Sequence, residues 1–397
     1  MFDSIQPAPP DAILGLTESY QADPNPDKIN LGVGVFKDDR GETPILTSVK
    51  KAEQQLLESE ISKSYLPITG SPRYAEGVAG LLFGPDHEVI TSGRLAVAQT
   101  PGGTGGLRVG GDFLKKFRPD ATLWVSSPTW ANHKGVFSSA GFEVREYSYY
   151  DPETNQLDFD RMCRDLKDIP AGDIVVLHVC CHNPTGVDPS VEQWRQIADL
   201  AGSAGWFPFF DFAYQGFGTS VEADRAPLQL FTEQGREFLV AASCSKNFGL
   251  YNERTGSLSL VAESKTAAQA AFSHVKTTIR TNYSNPSRHG GAIVETILSD
   301  PALCQEWRGE LDAMRERIHA VRTSFVEGLE ARGVSQDFSF IREQKGMFSF
   351  SGLTPDQVTA LREDHSIYIV GSGRINVAGI TSSNLDRLCD AITGVLG

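Results

Sequence analysis

The feature that most restricts the fold is a succession of apolar strand, polar turn, amphipathic helix and apolar strand in the middle of the chain. Residues 173–179 are largely apolar and read as a buried strand. They run into Cys180-Cys181-His182-Asn183-Pro184-Thr185-Gly186, a turn by its Asn-Pro and glycine signals. Ser190 and Gln193 then form a capping box for a helix with Val191, Trp194, Ile197 and Ala201 on one face, stopped at Gly205. Residues 206–211 read as the next strand, ending in Asp211, with Tyr214 three residues on. A further apolar strand at 238–242 leads into Ser243-Cys244-Ser245-Lys246-Asn247-Phe248-Gly249, and Arg254 follows eight residues after the lysine. Strand, turn, helix, strand in this order predicts an α/β fold with a largely parallel sheet. Ligands of such sheets sit beyond the carboxyl ends of the strands. Asn183, Asp211 and Lys246 all fall at such ends. Any one of them alone is more often a cap or turn residue. Three at three strand ends predict one shared site.

A lysine at the end of a buried strand can be desolvated, which lowers its pKa and frees its lone pair for a Schiff base. The neighbouring hydroxyls and Arg254 could hold a phosphate. The alternative is a lysine that snorkels to water. A second informative stretch is Gln99-Thr100-Pro101-Gly102-Gly103-Thr104-Gly105-Gly106-Leu107, read as a glycine-rich turn opening a helix with Leu107, Phe113, Leu114 and Phe117. Free amides at a helix start make an anion site. The pattern is neither GxGxxG nor a P-loop, so nucleotide binding is not indicated. Glycines 105, 106, 110 and 111 each cost a helix roughly 1 kcal/mol relative to alanine, and tight packing is a sufficient explanation for some of them. Trp130 lies in a loop between strands expected at 123–126 and 142–144. There it is either core or a plate on which a heteroaromatic ring can stack.

With 397 residues the chain is long enough for two domains. Its net charge of −14 disfavours nucleic acid and anionic membrane as bulk partners. No signal peptide and no apolar run of membrane-spanning length is read. The six cysteines are scattered and the eight histidines show no metal-ligand spacing. Reduced thiols, no metal and a cytoplasmic enzyme are therefore expected.

Phe2 and Ile5 lie on a proline-rich N-terminal segment, either a frayed end or an arm laid on another subunit. Residues 29–36 are apolar, with Gly32 and Gly34 permitting a close approach or a bend. Ser48 is expected to cap a helix, and Ser71-Pro72 to open another that stops at Gly84-Pro85. Pro301 opens a helix expected to run about 31 residues, or roughly 47 Å, long enough to bridge a large domain to a smaller C-terminal one. Strands are expected at 347–350, 367–370 and 374–377, with helices near 354–364 and 382–395.

A glycine-rich anion site, a lysine at a strand end and a carboxylate at another are what pyridoxal phosphate needs. The lysine forms an imine, and a carboxylate against the pyridine nitrogen keeps the ring an electron sink. Gly-Gly-Thr-Gly, His-Asn-Pro-Thr-Gly, Asp-Phe-Ala-Tyr-Gln-Gly-Phe, Ser-Lys-Asn-Phe-Gly-Leu-Tyr-Asn-Glu-Arg, Asn-Tyr-Ser-Asn-Pro and Gly-Arg-Ile-Asn-Val-Ala-Gly resemble the class I pyridoxal-phosphate-dependent aminotransferases, in the aspartate aminotransferase branch. The resemblance is collinear over almost the whole chain.

It implies a fold-type I transferase: a large domain over 43–312 with a mostly parallel seven-stranded sheet, a smaller α/β domain from 13–42 and 313–397, and an arm over 1–12 on the partner subunit. It implies a homodimer with shared active sites, pyridoxal 5′-phosphate as cofactor, and ping-pong transamination through an internal aldimine. L-aspartate and 2-oxoglutarate would give oxaloacetate and L-glutamate. By the resemblance, Lys246 is the Schiff-base lysine and the acid–base that moves the proton. Asp211 pairs with the pyridine nitrogen, supported by His133. Asn183 and Tyr214 hydrogen-bond the ring hydroxyl, and Trp130 stacks on the ring. Gly103, Thr104, Ser243 and Arg254 hold the phosphate, with Tyr65 reaching in from the other subunit. Arg374 grips the substrate α-carboxylate, and Arg280 of the other subunit the distal one. Gly34 lies on the segment that closes over substrate.

The aromatic-amino-acid aminotransferases keep both arginines. Val35, Lys37, Thr43, Thr104 and Asn285 look like the aspartate branch, whereas Ser64 departs from its usual asparagine. Two other classes share the fold, effector-sensing transcription regulators and pyridoxal phosphate decarboxylases or lyases. Regulators carry a basic helix-turn-helix before the match, which this sequence does not show, and retention of both arginines favours transamination over the lyases.

Overall fold

The computed structural model describes residues 2–7 and 14–397. They fall into two compact units, one of Pro44–Glu316 and one of the described residues up to Thr43 with Arg317–Gly397. Of the expected arm over 1–12, Met1 and residues 8–12 lie outside the described residues. Phe2–Ser4 form one turn of 3-10 helix, with Phe2 79% and Ile5 61% exposed.

The larger unit is built on a seven-stranded sheet. In space its strands run Leu95–Pro101, Thr255–Val261, Phe238–Ser243, Phe207–Phe212, Ile174–His178, Leu123–Ser127, Val144–Ser148. The last five pair in parallel, and Thr255–Val261 runs antiparallel to both of its neighbours. The inner strands Phe238–Ser243, Phe207–Phe212 and Ile174–His178 are nearly continuous apolar runs because helices cover both faces, whereas the edge strand Val144–Ser148 exposes Arg145 and Glu146. The register sets His178 opposite Asp211 and Gly256 opposite Ser243, so the carboxyl ends of the parallel strands share one rim with the start of the reversed strand. The predicted capping box of Ser190 and Gln193 is present on the helix Val191–Ala204, and Gly205 closes it in the left-handed region at φ 81°.

Several local expectations change. The glycine run is not a turn ahead of a helix but the first turn itself, since Gly102–Phe117 is one helix. Gly110 on that helix is a packing requirement: a Cβ there would lie 2.4 Å from Phe209 Cζ, where the helix crosses the sheet. Ser48 is not a cap; it lies inside the helix Thr47–Ser59. The cap is supplied from far away, by the Glu310 carboxylate, which accepts from Ser48 N–H at 3.2 Å and also from Thr47 N–H and the Ser48 hydroxyl. A carboxylate at a helix N-terminus also meets the positive end of the helix dipole. The strand expected at 142–144 begins at Val144. The long helix is Pro301–Glu330, 30 residues, and the turn after it holds Gly333 at φ 71°.

The smaller unit has its own core, including Leu31, Phe325, Leu329, Ile341, Leu361, Ile375 and Leu388. Ile29–Asn30 pairs in parallel with Ile367–Tyr368, and Phe348–Phe350 antiparallel with Arg374–Asn376. Helices Pro355–His365 and Leu385–Leu396 pack on it. The stretch 29–36 is a strand only at its first two residues. Beyond them, side chains hold it: the Asn376 amide donates to Val33 O at 2.7 Å and Val35 O at 2.8 Å, and Arg374 Nη2 to Gly32 O at 2.6 Å. Gly34 lies on this segment.

Among the described residues no helix is long and apolar enough to cross a membrane. All six cysteines are free thiols.

Candidate active site

Lys246 follows the strand Phe238–Ser243 by three residues and is half-buried, its Nζ 4.7 Å from the centre of the Tyr214 ring. Burial lowers its amine to about 8; the Asp211 carboxylate opposes the shift and the Arg254 guanidinium adds to it. The lysine therefore feels a carboxylate and a guanidinium together, as three strand ends in one rim require.

Asp211 is the fifth residue of the strand Phe207–Phe212, and its Oδ2 accepts from His133 Nε2 at 3.0 Å. Burial alone would raise its carboxyl. The His133 hydrogen bond and the nearby charges outweigh this and hold it below its ordinary range. His133 is fixed on its other side by Thr129 Oγ1, 2.8 Å from Nδ1. Trp130 stands edge-on to the His133 ring at 5.3 Å. Asn183 sits in the turn after the strand Ile174–His178, and its backbone N–H donates to His178 Nδ1 at 3.2 Å. Tyr214 lies in the turn after Asp211. That turn is tied down by Asp224, whose carboxylate accepts N–H groups of Gly216, Gly218 and Thr219 at 2.8, 2.9 and 2.8 Å.

The anion cradle is made of backbone and guanidinium. Gly102 has φ 70°, and a Cβ there would fall 2.7 Å from Arg254 Nη2. A Cβ on Gly103 would lie 3.1 Å from Ser243 Cβ. The first turn of Gly102–Phe117, with Thr104 in it, thus meets Ser243 and Arg254. Ser243 Oγ lies 3.0 Å from Ser245 Oγ and accepts from Ser245 N–H at 3.2 Å. Helix amides, two hydroxyls and a guanidinium form a donor set suited to a phosphate dianion.

His178 is a residue that reading the sequence missed. Burial and the neighbouring His133 lower its pKa to about 3, against the opposing pull of Asp211, so the ring is neutral. Its Nδ1 accepts, which leaves the proton on Nε2, a buried atom with no hydrogen-bond partner in the protein. The ligand atoms of His133, His178 and Asp211 lie within 4.8 Å of one another, from three separated positions with no metal-ligand spacing in the sequence. The direct His133–Asp211 bond accounts for the group as support for the carboxylate. The available signal was a polar residue ending an apolar strand, paired in register with Asp211.

Pyridoxal phosphate fits these residues: a cradle for phosphate that a side chain at Gly102 would fill, an ionised carboxylate, a buried unpartnered N–H beside it, and a half-buried amine.

Tyr65 and Arg280 come together elsewhere, in an open cleft of about 640 Å³ also lined by Leu66, Ile68, Tyr283, Ser284 and Asn285. Tyr65 is 93% exposed, and Arg280 donates to the Ser284 hydroxyl. Arg374 is buried in the smaller unit, its guanidinium 4.2 Å from the centre of the Phe348 ring.

The family model for aminotransferase class I and II matches residues 26–392. The aspartate aminotransferase of Salmonella typhi is 54% identical over 396 residues, covering 100% of both chains. The aromatic-amino-acid aminotransferase of Pseudomonas aeruginosa is 44% identical over 394 residues, covering 99% of this chain and 98% of its own. A crystal structure of the aromatic-amino-acid aminotransferase from Burkholderia pseudomallei, covalently bound to pyridoxal phosphate, superposes with a TM-score of 0.98 at 48% identity, covering 100% of both chains.

Proposed function

The chain belongs to the class I and II aminotransferase family, and on that premise we propose that it moves the amino group of L-aspartate to 2-oxoglutarate, giving oxaloacetate and L-glutamate. The observation that carries the reading is the placement of Lys246, half-buried just past a strand end with its Nζ over the Tyr214 ring and within reach of the charges of Asp211 and Arg254. Pyridoxal 5′-phosphate, when bound, supplies a carbonyl carbon that takes up the amino group and a ring that accepts electrons.

In this reading Lys246 Nζ would hold the cofactor and would take the proton from the substrate Cα. An amine near 8 is poised for both directions of that transfer. Asp211, kept ionised by His133, holds a proton on the ring nitrogen. Asn183 and Tyr214 orient the ring hydroxyl and Trp130 covers the ring face. Gly103, Thr104, Ser243 and Arg254 take the phosphate. Arg374 grips the α-carboxylate through paired N–H groups. Gly34 belongs to the segment that covers substrate.

The protein works as a homodimer in which Tyr65 and Arg280 serve the neighbour's site, Tyr65 at the phosphate and Arg280 at the distal carboxylate. Their shared open cleft supports this, as do the exposed side chains of Leu57 at 78% and Ile61 at 99%, which a second copy would cover. The described part of the N-terminal arm, residues 2–7, with Phe2 and Ile5 exposed, lies on the partner. Six free thiols support a cytoplasmic location.

A second reading, preference for aromatic amino acids, is favoured by the 48% identity to the Burkholderia pseudomallei enzyme and by Ser64, whose short side chain turns back to Ser62 Oγ at 2.9 Å. The test is a half-reaction of the loaded enzyme with aspartate, glutamate, phenylalanine and tyrosine in turn, following the cofactor's long-wavelength absorbance. Fastest loss with aspartate or glutamate supports the first reading. Fastest loss with phenylalanine or tyrosine replaces it with the second.

A further inference from the structure

Arg322 lies on the helix Pro301–Glu330, in the smaller unit, and is 1% exposed. Its Nη1 donates to Ile341 O at 3.1 Å and to the Ser349 hydroxyl. Its Nη2 donates to Gly346 O at 2.7 Å and to Phe348 O at 2.8 Å. A core helix position is served more cheaply by an apolar side chain, since a buried guanidinium must have its donors satisfied. What the guanidinium does here, and an apolar chain cannot, is fix three carbonyls of one segment, the approach to the strand Phe348–Phe350.

That strand faces Arg374–Asn376, with Phe348 opposite Asn376 and Phe350 opposite Arg374. The Phe348 ring, 4% exposed, reaches diagonally to Arg374, whose Cζ lies 4.2 Å from the ring centre. The same ring abuts the Gly34 backbone: a Cβ on Gly34 would fall 2.5 Å from Phe348 Cζ. An aromatic face held against a guanidinium attracts it and restrains its plane. Bidentate capture of a carboxylate requires that plane, because the two N–H bonds must point along the carboxylate's own plane.

We infer that Arg322 is a positioning residue for carboxylate capture: it fixes the strand carrying Phe348, and Phe348 orients the Arg374 guanidinium toward the α-carboxylate of amino and 2-oxo acids. The inference rests on the reading of Arg374 as the α-carboxylate residue, and on the contact of Phe348 with both Arg374 and Gly34. Arg322 touches no substrate and acts only through this chain of contacts.

The test uses the holoenzyme and its Arg322→Lys, Phe348→Leu, double, and Arg374→Leu variants. Succinate binding is measured by calorimetry, with kcat and KM for aspartate and thermal unfolding alongside. Arg322→Lys keeps the charge but loses the planar fork. It should weaken succinate binding and raise the aspartate KM by about tenfold, while kcat stays within about twofold, the pattern of a lost ground-state contact. Phe348→Leu should do the same, and the double variant should be no worse than the worse single one, because the two act in series. A folded Arg322→Lys enzyme that binds succinate as wild type overturns the inference, as do fully additive losses. Should Arg322→Lys not fold, Phe348→Leu decides alone, and wild-type affinity there overturns the inference. If Arg374→Leu itself binds succinate as wild type, the reading of Arg374 fails first.

Discussion

Gly102→Ala should weaken cofactor binding through a side chain it does not share a strand or helix with. Gly102 has φ 70°, where a residue with a Cβ is strained by about 1–2 kcal/mol. That strain is present with or without cofactor, so it lowers stability and leaves affinity alone. Affinity changes through Arg254. The added Cβ falls 2.7 Å from Arg254 Nη2 and 3.1 Å from its Cζ. A guanidinium at the end of a flexible chain yields more readily than a helix does, so Arg254 moves out of the cradle. A lost hydrogen bond to a charged group is worth about 1.5–3 kcal/mol, or about 10- to 150-fold in Kd. Gly41→Ala is the control: Gly41 has φ 79° but no heavy atom within 4 Å of a Cβ, so it carries strain without displacement. The assay is titration of apoenzyme with pyridoxal 5′-phosphate, together with urea unfolding of the apo form. Both variants should lose stability, and only Gly102→Ala should lose affinity. If Gly102→Ala binds cofactor within about threefold of wild type, or Gly41→Ala loses as much, the argument from Arg254 is refuted.

Cofactor uptake needs the neutral Lys246 amine, so its rate should rise with pH through about 8; a midpoint near the ordinary lysine value of 10.5 would contradict the buried site. Between those values the unfolded chain holds a proton that the folded one does not, so this group's contribution to apo stability should increase as pH rises from about 8 to 10.5. Arg280→Leu should cut kcat/KM steeply for aspartate and little for phenylalanine, whereas Arg374→Leu should damage both; equal losses with Arg280→Leu would remove it as the distal-carboxylate residue. Lys246→Ala and Arg280→Ala, each inactive on aspartate, should regain activity when their subunits are exchanged, since one site of each heterodimer is then whole; verified heterodimers that stay inactive would show that Arg280 does not act across an interface.

The parts of the site legible in the sequence are those that depend on strand order and local chain. Asp211, Asn183 and Lys246 are visible because apolar runs end at or just before them, and the parallel sheet then gathers those ends. The Ser190–Gln193 capping box is local and is found where its spacing puts it. What stayed hidden depends on partners far along the chain. Glu310 caps a helix at Thr47 and Ser48, so Ser48 looked like the cap itself. Gly102 looked like a turn residue because propensity disfavours glycine in helices, yet it opens the helix at φ 70° with the Arg254 guanidinium where a Cβ would lie. His178 carries no motif; only the register opposite Asp211 reveals it. Arg322 has no local signature either, because its acceptors, three backbone carbonyls and the Ser349 hydroxyl, lie 19 to 27 positions along the chain.

The single reversed strand has a consequence for how the chain closes on itself. Because Thr255–Val261 runs against Phe238–Ser243, Gly256 returns to Ser243 after a short excursion, and that excursion carries both Lys246 and Arg254. Loop-closure entropy grows only with the logarithm of length. Even so, bringing Gly102 to Ser243 spans about 140 positions against roughly 13 for this loop, a difference of about 2 kcal/mol. The residues proposed to bind the cofactor through a covalent bond and through an ion pair therefore ride on one tight reversal of the backbone. Their mutual approach costs the chain little order, whereas the amides and the carboxylate that complete the site must be brought from distant parts of it.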